Sequence, residues 1–354
     1  MDKLKIDSHK LIYHPQRVSQ WLDGKNIFPL YAEIAPSGGC NHRCIFCGLD
    51  YIGYKPKFLK TKCIKNFLAQ AAKSGLKSLM YAGEGEPLLH KDIADLVNFA
   101  KNNKIDVSIT TNGVYLNKNF ILKSLKSISW IRISCNAGSK KTYAKIHQTN
   151  PNDFTKVINN IRLAVKIKKK NKLKTTIGVQ TLLLKENFKE ILILAKTLKK
   201  IGADYLTIKP YSKHPLSKNS LNTLISPASI SNLKKQLDKI ATAKFDIILR
   251  TNTIKRLENQ KQYSKCYGIP FWTYIDSNGD VYACSSFLGN KKFSFGNICK
   301  QGFKNIWQGS LRKKVMQTIN SRLNIKHCRK ACRLDAINQY LWELKNPPEH
   351  VNFI

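Results

Sequence analysis

The chain has 354 residues, 42% of them hydrophobic, and its 61 Lys and Arg against 22 Asp and Glu give a formal charge of +39. This length supports one large domain plus a smaller one, and the sequence has neither the ~20-residue apolar run of a membrane span nor a signal-peptide core in "MDKLKIDSHKLIYHPQ", so no membrane partner and a cytoplasmic location are expected. The basic residues are mostly Lys spread over many segments, as drift toward Lys, Asn and Ile produces, so nucleic acid is not an expected partner, while an anionic small-molecule substrate is compatible with the charge.

Residues 1–30 read as an N-terminal extension of short helix and loop. "YAEIA" (31–35) reads as a strand leading into a cysteine-rich loop. "KSLMYAG", "DVSITTNG", "SWIRISCNA", "KTTIGVQTLLL" and "ADYLTIKPYS" read as five more strands. Helical segments such as "HKDIADLVNFAKNN" and "FKEILILAKTLKKIG" alternate with them, which predicts βαβ units and a parallel sheet over 31–212. Six units are too few for an eight-fold barrel. Residues 213–262 are polar and read as a helical connector. Over 263–335 the texture turns to short strands, with a hairpin in "FWTYIDSNGDVYAC" turning at "DSNGD". Residues 336–354 read as a C-terminal helix and tail.

Ten cysteines in a reducing compartment point to metal ligation over disulfides. Cys40, Cys44 and Cys47 are spaced C-x3-C-x2-C in "GGCNHRCIFCGLD". Thiolates grouped in this way hold iron–sulfur clusters, and three ligands on a [4Fe-4S] cube leave one iron open to a ligand. A zinc site is the alternative, with His42 the only close fourth ligand.

This spacing, with aromatic Phe46 before the third cysteine, resembles the signature of the radical S-adenosylmethionine (SAM) superfamily. The resemblance implies a partial (β/α)6 TIM-like barrel, a SAM-binding [4Fe-4S] cluster on the three cysteines, and a flavodoxin- or ferredoxin-like electron donor. "YAGEGEPLLH" (81–90) resembles the family segment that holds the amino group of SAM, with Gly85, Glu86 and Pro87 matching and Glu84 standing where glycine is common. In the fourth strand, alternation puts Arg132, Ser134 and Asn136 on one face and Cys135 on the core face. Ser134 and Asn136 fit family positions that contact the ribose and carboxylate of SAM. Lys209 and Tyr211 end the sixth strand at the mouth, where they could bind a ligand or simply be solvated.

Cys266, Cys284, Cys328 and Cys332, arranged around Gly279 and "FGNICKQGFKNIWQGSLR", resemble the twitch domain, a shorter relative of the SPASM extension. This implies one auxiliary [4Fe-4S] cluster; a structural zinc is the alternative. Cys63 and Cys299 are expected to be unligated packing residues. The resemblance spans residues 30–335 and implies a radical SAM oxidoreductase. Its expected substrate is a sugar, cyclitol or nucleoside-like molecule oxidised by two electrons. Peptide modification and RNA modification or binding are the rival functions.

Overall fold

The computed structural model describes residues 4–221 and 225–353. After α1 (Pro15–Leu22), six strands follow in the expected places: β1 (Tyr31–Ile34), β2 (Ser78–Tyr81), β3 (Asp106–Thr111), β4 (Ile128–Ser134), β5 (Thr176–Leu183) and β6 (Tyr205–Pro210). Each pairs in parallel with the next. Their crossovers carry α2 (Thr61–Lys73), α3 (Ile93–Asn102), α4 (Lys118–Ser124), α5 (Lys140–His147), α6 (Asn152–Lys170) and α7 (Ile191–Ile201).

The two faces of the sheet differ as the period-2 pattern requires. Ile131, Ile133, Val179, Leu206 and Ile208 are completely buried in the main core. Each contributes roughly 1.5–3 kcal/mol through burial. Between the β4 residues of that core, Arg132 and Ser134 are only partly buried. Cys135 packs in the core, fully buried.

The connector departs from the sequence reading. It contains α8 (Pro227–Ile240) and α9 (Thr251–Glu258), but also a strand, β7 (Asp246–Leu249), that pairs in parallel with β6. At the other edge, β8 (Trp272–Ile275) pairs in parallel with β1, Tyr31 opposite Trp272. β9 (Asp280–Tyr282) and β10 (Ser294–Asn297) complete a ten-stranded sheet in the order β10-β9-β8-β1-β2-β3-β4-β5-β6-β7. The expected hairpin joins β8 and β9; Gly279 takes a φ of +86°, and its N–H donates to Asp276 O at 3.0 Å. Helices α10 (Phe303–Gln308), α11 (Ser310–Arg322) and α12 (Asp335–Lys345) follow. Because β8 hydrogen-bonds to β1, the C-terminal cysteines are built onto the strand that feeds the first cysteine loop.

Cys63 and Cys299 are bonded to each other across 236 residues and tie α2 to the loop after β10. This corrects the reading of both as free packing residues: α2 packs beneath the C-terminal unit, which brings the two thiols together. Among the described residues, no helix is long and apolar enough to cross a membrane.

Candidate active site

The first cysteine loop leaves the end of β1 and is clamped on both sides. Arg43 and Ile45 N–H donate to the carbonyls of His147 and Ile146 at the end of α5, at 3.1 and 3.0 Å. Ser217 Oγ and Asn219 Nδ2 donate to Cys47 O at 3.2 and 3.1 Å. The thiols of Cys40, Cys44 and Cys47 are free. Burial pushes the Cys40 thiol up to about 11, with the Cys47 and Glu86 charges adding to the rise. Burial, then the charges of Cys40 and Cys47, raise Cys44 well above its ordinary range. The three thiols lie close enough for the charges of Cys40 and Cys47 to act on Cys44, and together they are a soft sulfur donor set of the kind that iron–sulfur groups take. The residues present therefore fit an iron–sulfur group.

Glu86 is buried against this loop, 2% exposed. Its N–H donates to Gly39 O at 2.8 Å. Gly85 permits that approach, since a Cβ there would lie 2.0 Å from Gly39 O. The Glu86 carboxylate caps the short turn begun by Pro87, accepting Leu88 N–H at 3.0 Å, and also accepts Thr111 Oγ1–H at 2.5 Å and Asn112 N–H at 2.7 Å. Burial lifts it to about 7 despite these donors. Three bonds leave one of the roughly four acceptor positions of a carboxylate open. Glu84 points elsewhere: it accepts from Ser277 Oγ at 2.7 Å and so joins the β2 loop to the β8–β9 turn.

Ser134 ends β4 opposite Gln180. Phe46 packs edge-on against His147, with ring centroids 5.5 Å apart. Asn136 is buried, and its polar groups engage the protein: Oδ1 accepts Leu182 N–H at 2.6 Å, O accepts Asn187 Nδ2–H at 3.0 Å, and N–H donates to His147 Nε2 at 3.2 Å. His147 was not evident from the sequence, because its partners lie on other elements.

The four C-terminal cysteines are also free. Cys266 precedes β8, Cys284 follows β9, and Cys328 and Cys332 flank the loop before α12. Burial, then the neighbouring Cys284, push Cys266 up to about 12. Burial, then Cys284 and Cys266, raise Cys332 well above its ordinary range. Cys284 and Cys328 act on Cys266, and Cys284 and Cys266 act on Cys332, so the four thiols gather in one region as a sulfur donor set that fits a second iron–sulfur group. Lys261 Nζ secures their loop by donating to the carbonyls of Ile325, Cys328 and Arg329.

Cations crowd around the end of β6. Lys209 is lowered to about 7 by burial and then by Arg329, Arg250 and Arg132. Arg250 pairs with Asp7 at 3.1 Å. Arg132 Nε donates to Tyr205 Oη at 3.2 Å, and Arg329 donates to Ser212 O at 2.6 Å while its Nε is buried without a partner. Among the described residues, Lys209, Arg132 and Arg329 form no ion pair with a carboxylate.

A mostly parallel α/β sheet with a three-thiol loop beside a buried carboxylate, and a second four-thiol set, has the features of an iron–sulfur enzyme. The profile of the radical SAM superfamily matches residues 34–206, and that of the SPASM iron–sulfur cluster-binding domain matches residues 266–333. The chain belongs to the radical SAM superfamily, with a SPASM-type C-terminal domain; these domains imply a SAM-binding [4Fe-4S] cluster, an auxiliary iron–sulfur cluster and SAM. The GTP 3',8-cyclase of Clostridium acetobutylicum is 34% identical over 168 residues, 46% of this chain and 49% of that protein. The probable GTP 3',8-cyclase of Methanocaldococcus jannaschii is 26% identical over 236 residues, 65% of this chain and 71% of that protein. The chain thus spans about half the length of the first of these relatives. Streptococcus suis SuiB bound to its precursor peptide SuiA superposes with a TM-score of 0.66 at 18% identity, covering 90% of this chain and 74% of SuiB.

If Glu86 holds the ammonium of SAM, as its resemblance to the family segment implies, replacing it with Ala is expected to weaken SAM binding about tenfold or more, since losing one partner of a buried charge-assisted hydrogen bond costs roughly 1.5–3 kcal/mol. Glu84→Gly should leave SAM affinity near that of the parent and lower thermal stability through the lost Ser277 contact. Calorimetric titration of both variants decides; equal losses of affinity reject the role of Glu86.

Proposed function

We propose that this enzyme acts on a small polar, anionic molecule, of sugar, cyclitol or nucleoside type, held at the barrel mouth between the two cysteine sets, and oxidises it by two electrons. The chemistry that the bound groups supply is reductive cleavage of SAM to a 5′-deoxyadenosyl radical that takes hydrogen from carbon, and one-electron acceptance at the second set. Cys40, Cys44 and Cys47 would hold the first group, and Cys266, Cys284, Cys328 and Cys332 the second. Glu86 offers its open acceptor position to the ammonium of SAM, and Gly85 keeps that segment against the cysteine loop.

The observation that carries the substrate class is the group of Lys209, Arg132 and Arg329. Unpaired cations brought together in a partly buried site are costly unless an anion joins them. A phosphate or carboxylate there would relieve the repulsion and fix the substrate. Arg329 lies within the Cys328–Cys332 loop, so the same contact would place the substrate beside the second cysteine set. The names of the GTP 3',8-cyclase relatives fit a phosphorylated substrate. The likeness to SuiB shows the fold alone, and no residue described above favours a peptide.

The test is a panel of phosphorylated and neutral sugars and nucleosides, scored by how far each stimulates 5′-deoxyadenosine formation under dithionite. A phosphorylated member should stimulate most. Lys209→Ala should raise the concentration needed about tenfold and leave unstimulated cleavage intact. Stimulation by peptides alone would reject the reading.

A further inference from the structure

His147, at the end of α5, is wholly buried, and the proposed reaction makes no use of it. Its Nδ1 lies 3.3 Å from Cys44 Sγ. Its Nε2 faces two nitrogens of Asn136, the backbone N at 3.2 Å and Nδ2 at 3.3 Å. The Asn136 amide cannot be turned round, because its Oδ1 accepts Leu182 N–H at 2.6 Å. A backbone N–H always donates, so Nε2 is the bare acceptor and the proton of the neutral ring is on Nδ1. That proton points at the Cys44 sulfur.

The ring has little freedom. It stacks on Tyr143 with centroids 4.1 Å apart, and His42 and Phe46 meet it edge-on at 5.3 and 5.5 Å. The residues on either side of Cys44, Arg43 and Ile45, donate to the carbonyls of His147 and Ile146, so donor and sulfur are held by the same turn. His42, Cys44 and His147 have the composition of a metal-ligand set, with ligand atoms within 4.8 Å. Coordination through Nδ1 would, however, move the ring proton to Nε2 and set it against the Asn136 N–H. The arrangement suits a donor and not a ligand.

We propose that His147 is a positioning residue for the first cysteine loop: a fixed Nδ1–H donor to Cys44 Sγ that makes a cluster held there easier to reduce. A hydrogen bond to a ligating sulfur stabilises the more negative, reduced cluster and raises its potential. The inference rests on the cluster assignment made for Cys40, Cys44 and Cys47.

Two near-isosteres separate the functions of the two ring nitrogens. His147→Gln keeps an acceptor for Asn136 near the Nε2 position and removes the donor to sulfur. His147→Asn keeps a donor near the Nδ1 position. The full-length, iron-reconstituted proteins are titrated anaerobically and followed by electron paramagnetic resonance, the first cluster being the signal that changes when SAM is added. His147→Gln should have a more negative midpoint than the parent, and His147→Asn a midpoint close to it. An unchanged midpoint in His147→Gln, or equal falls in both variants, overturns the proposal. Where a variant fails to hold iron, 15N NMR of the histidine-labelled parent decides: a protonated Nδ1 supports the proposal, and a protonated Nε2 overturns it. A parent with no SAM-responsive signal would instead reject the cluster assignment.

Discussion

The protein with Cys40, Cys44 and Cys47 all replaced by Ala is expected to form no 5′-deoxyadenosine under dithionite and to hold about half the iron of the parent. The physical reason is the ligand count. Three thiolates on a four-iron cube would leave one iron open, where SAM could be bound and reduced; four thiolates at the distal set would close a cube held there and leave no such position. The fold should survive the substitutions. None of the three residues belongs to the buried core, and the loop is also held by backbone bonds to α5 and by the Ser217 and Asn219 side chains. Loss of cleavage should therefore come with an unchanged circular dichroism spectrum and thermal midpoint. Undiminished cleavage in the triple variant would end the assignment of this loop, and collapse of the fold would show that the thiols are structural.

Local patterns in the sequence carry the six barrel strands, the β8–β9 hairpin and the Cys40, Cys44, Cys47 triplet, because each depends on neighbours within a few residues; the distal cysteines, spread from Cys266 to Cys332, stand out only through the family resemblance. What local patterns do not carry is long-range pairing. β7 is a four-residue strand in a polar stretch, and its apolar run of Ile247, Ile248 and Leu249 is too short to stand out from helix. β8 is parallel to β1, a partner some 240 residues earlier, and no local period encodes that choice. The Cys63–Cys299 bond has the same origin. At the site, Glu86 was legible from its motif, whereas the diversion of Glu84 to Ser277 was not, since it needs the C-terminal unit folded back on the β2 loop. His147 carries no signal in sequence; its meaning comes from Cys44, 103 residues away, and from the Asn136 N–H that fixes its proton.

Replacing Cys328 and Cys332 with Ala should separate the two halves of the reaction. The variant is expected to keep 5′-deoxyadenosine formation, uncoupled from product, and to lose product formation. The first cysteine loop and Glu86 are untouched by the change, so cofactor cleavage has no reason to fail. The second set is what would accept the electron left on the substrate after hydrogen is removed, and without it the two-electron oxidation cannot finish. Stability needs a control, because Cys332 packs against the main core, as do Cys266 and Cys284. Cys328 is not part of that packing, so Cys328→Ala alone should disturb the fold least and still open the site. Lys261, which holds the carbonyls of Ile325, Cys328 and Arg329, should keep the loop in place in both variants. Iron counting with Mössbauer spectroscopy of the parent sets the reference, with about eight irons per chain for two four-iron cubes. Four irons and one zinc would make the distal site structural and remove the electron acceptor. Full product formation in an iron-depleted Cys328→Ala protein would show that the substrate electron leaves by another route.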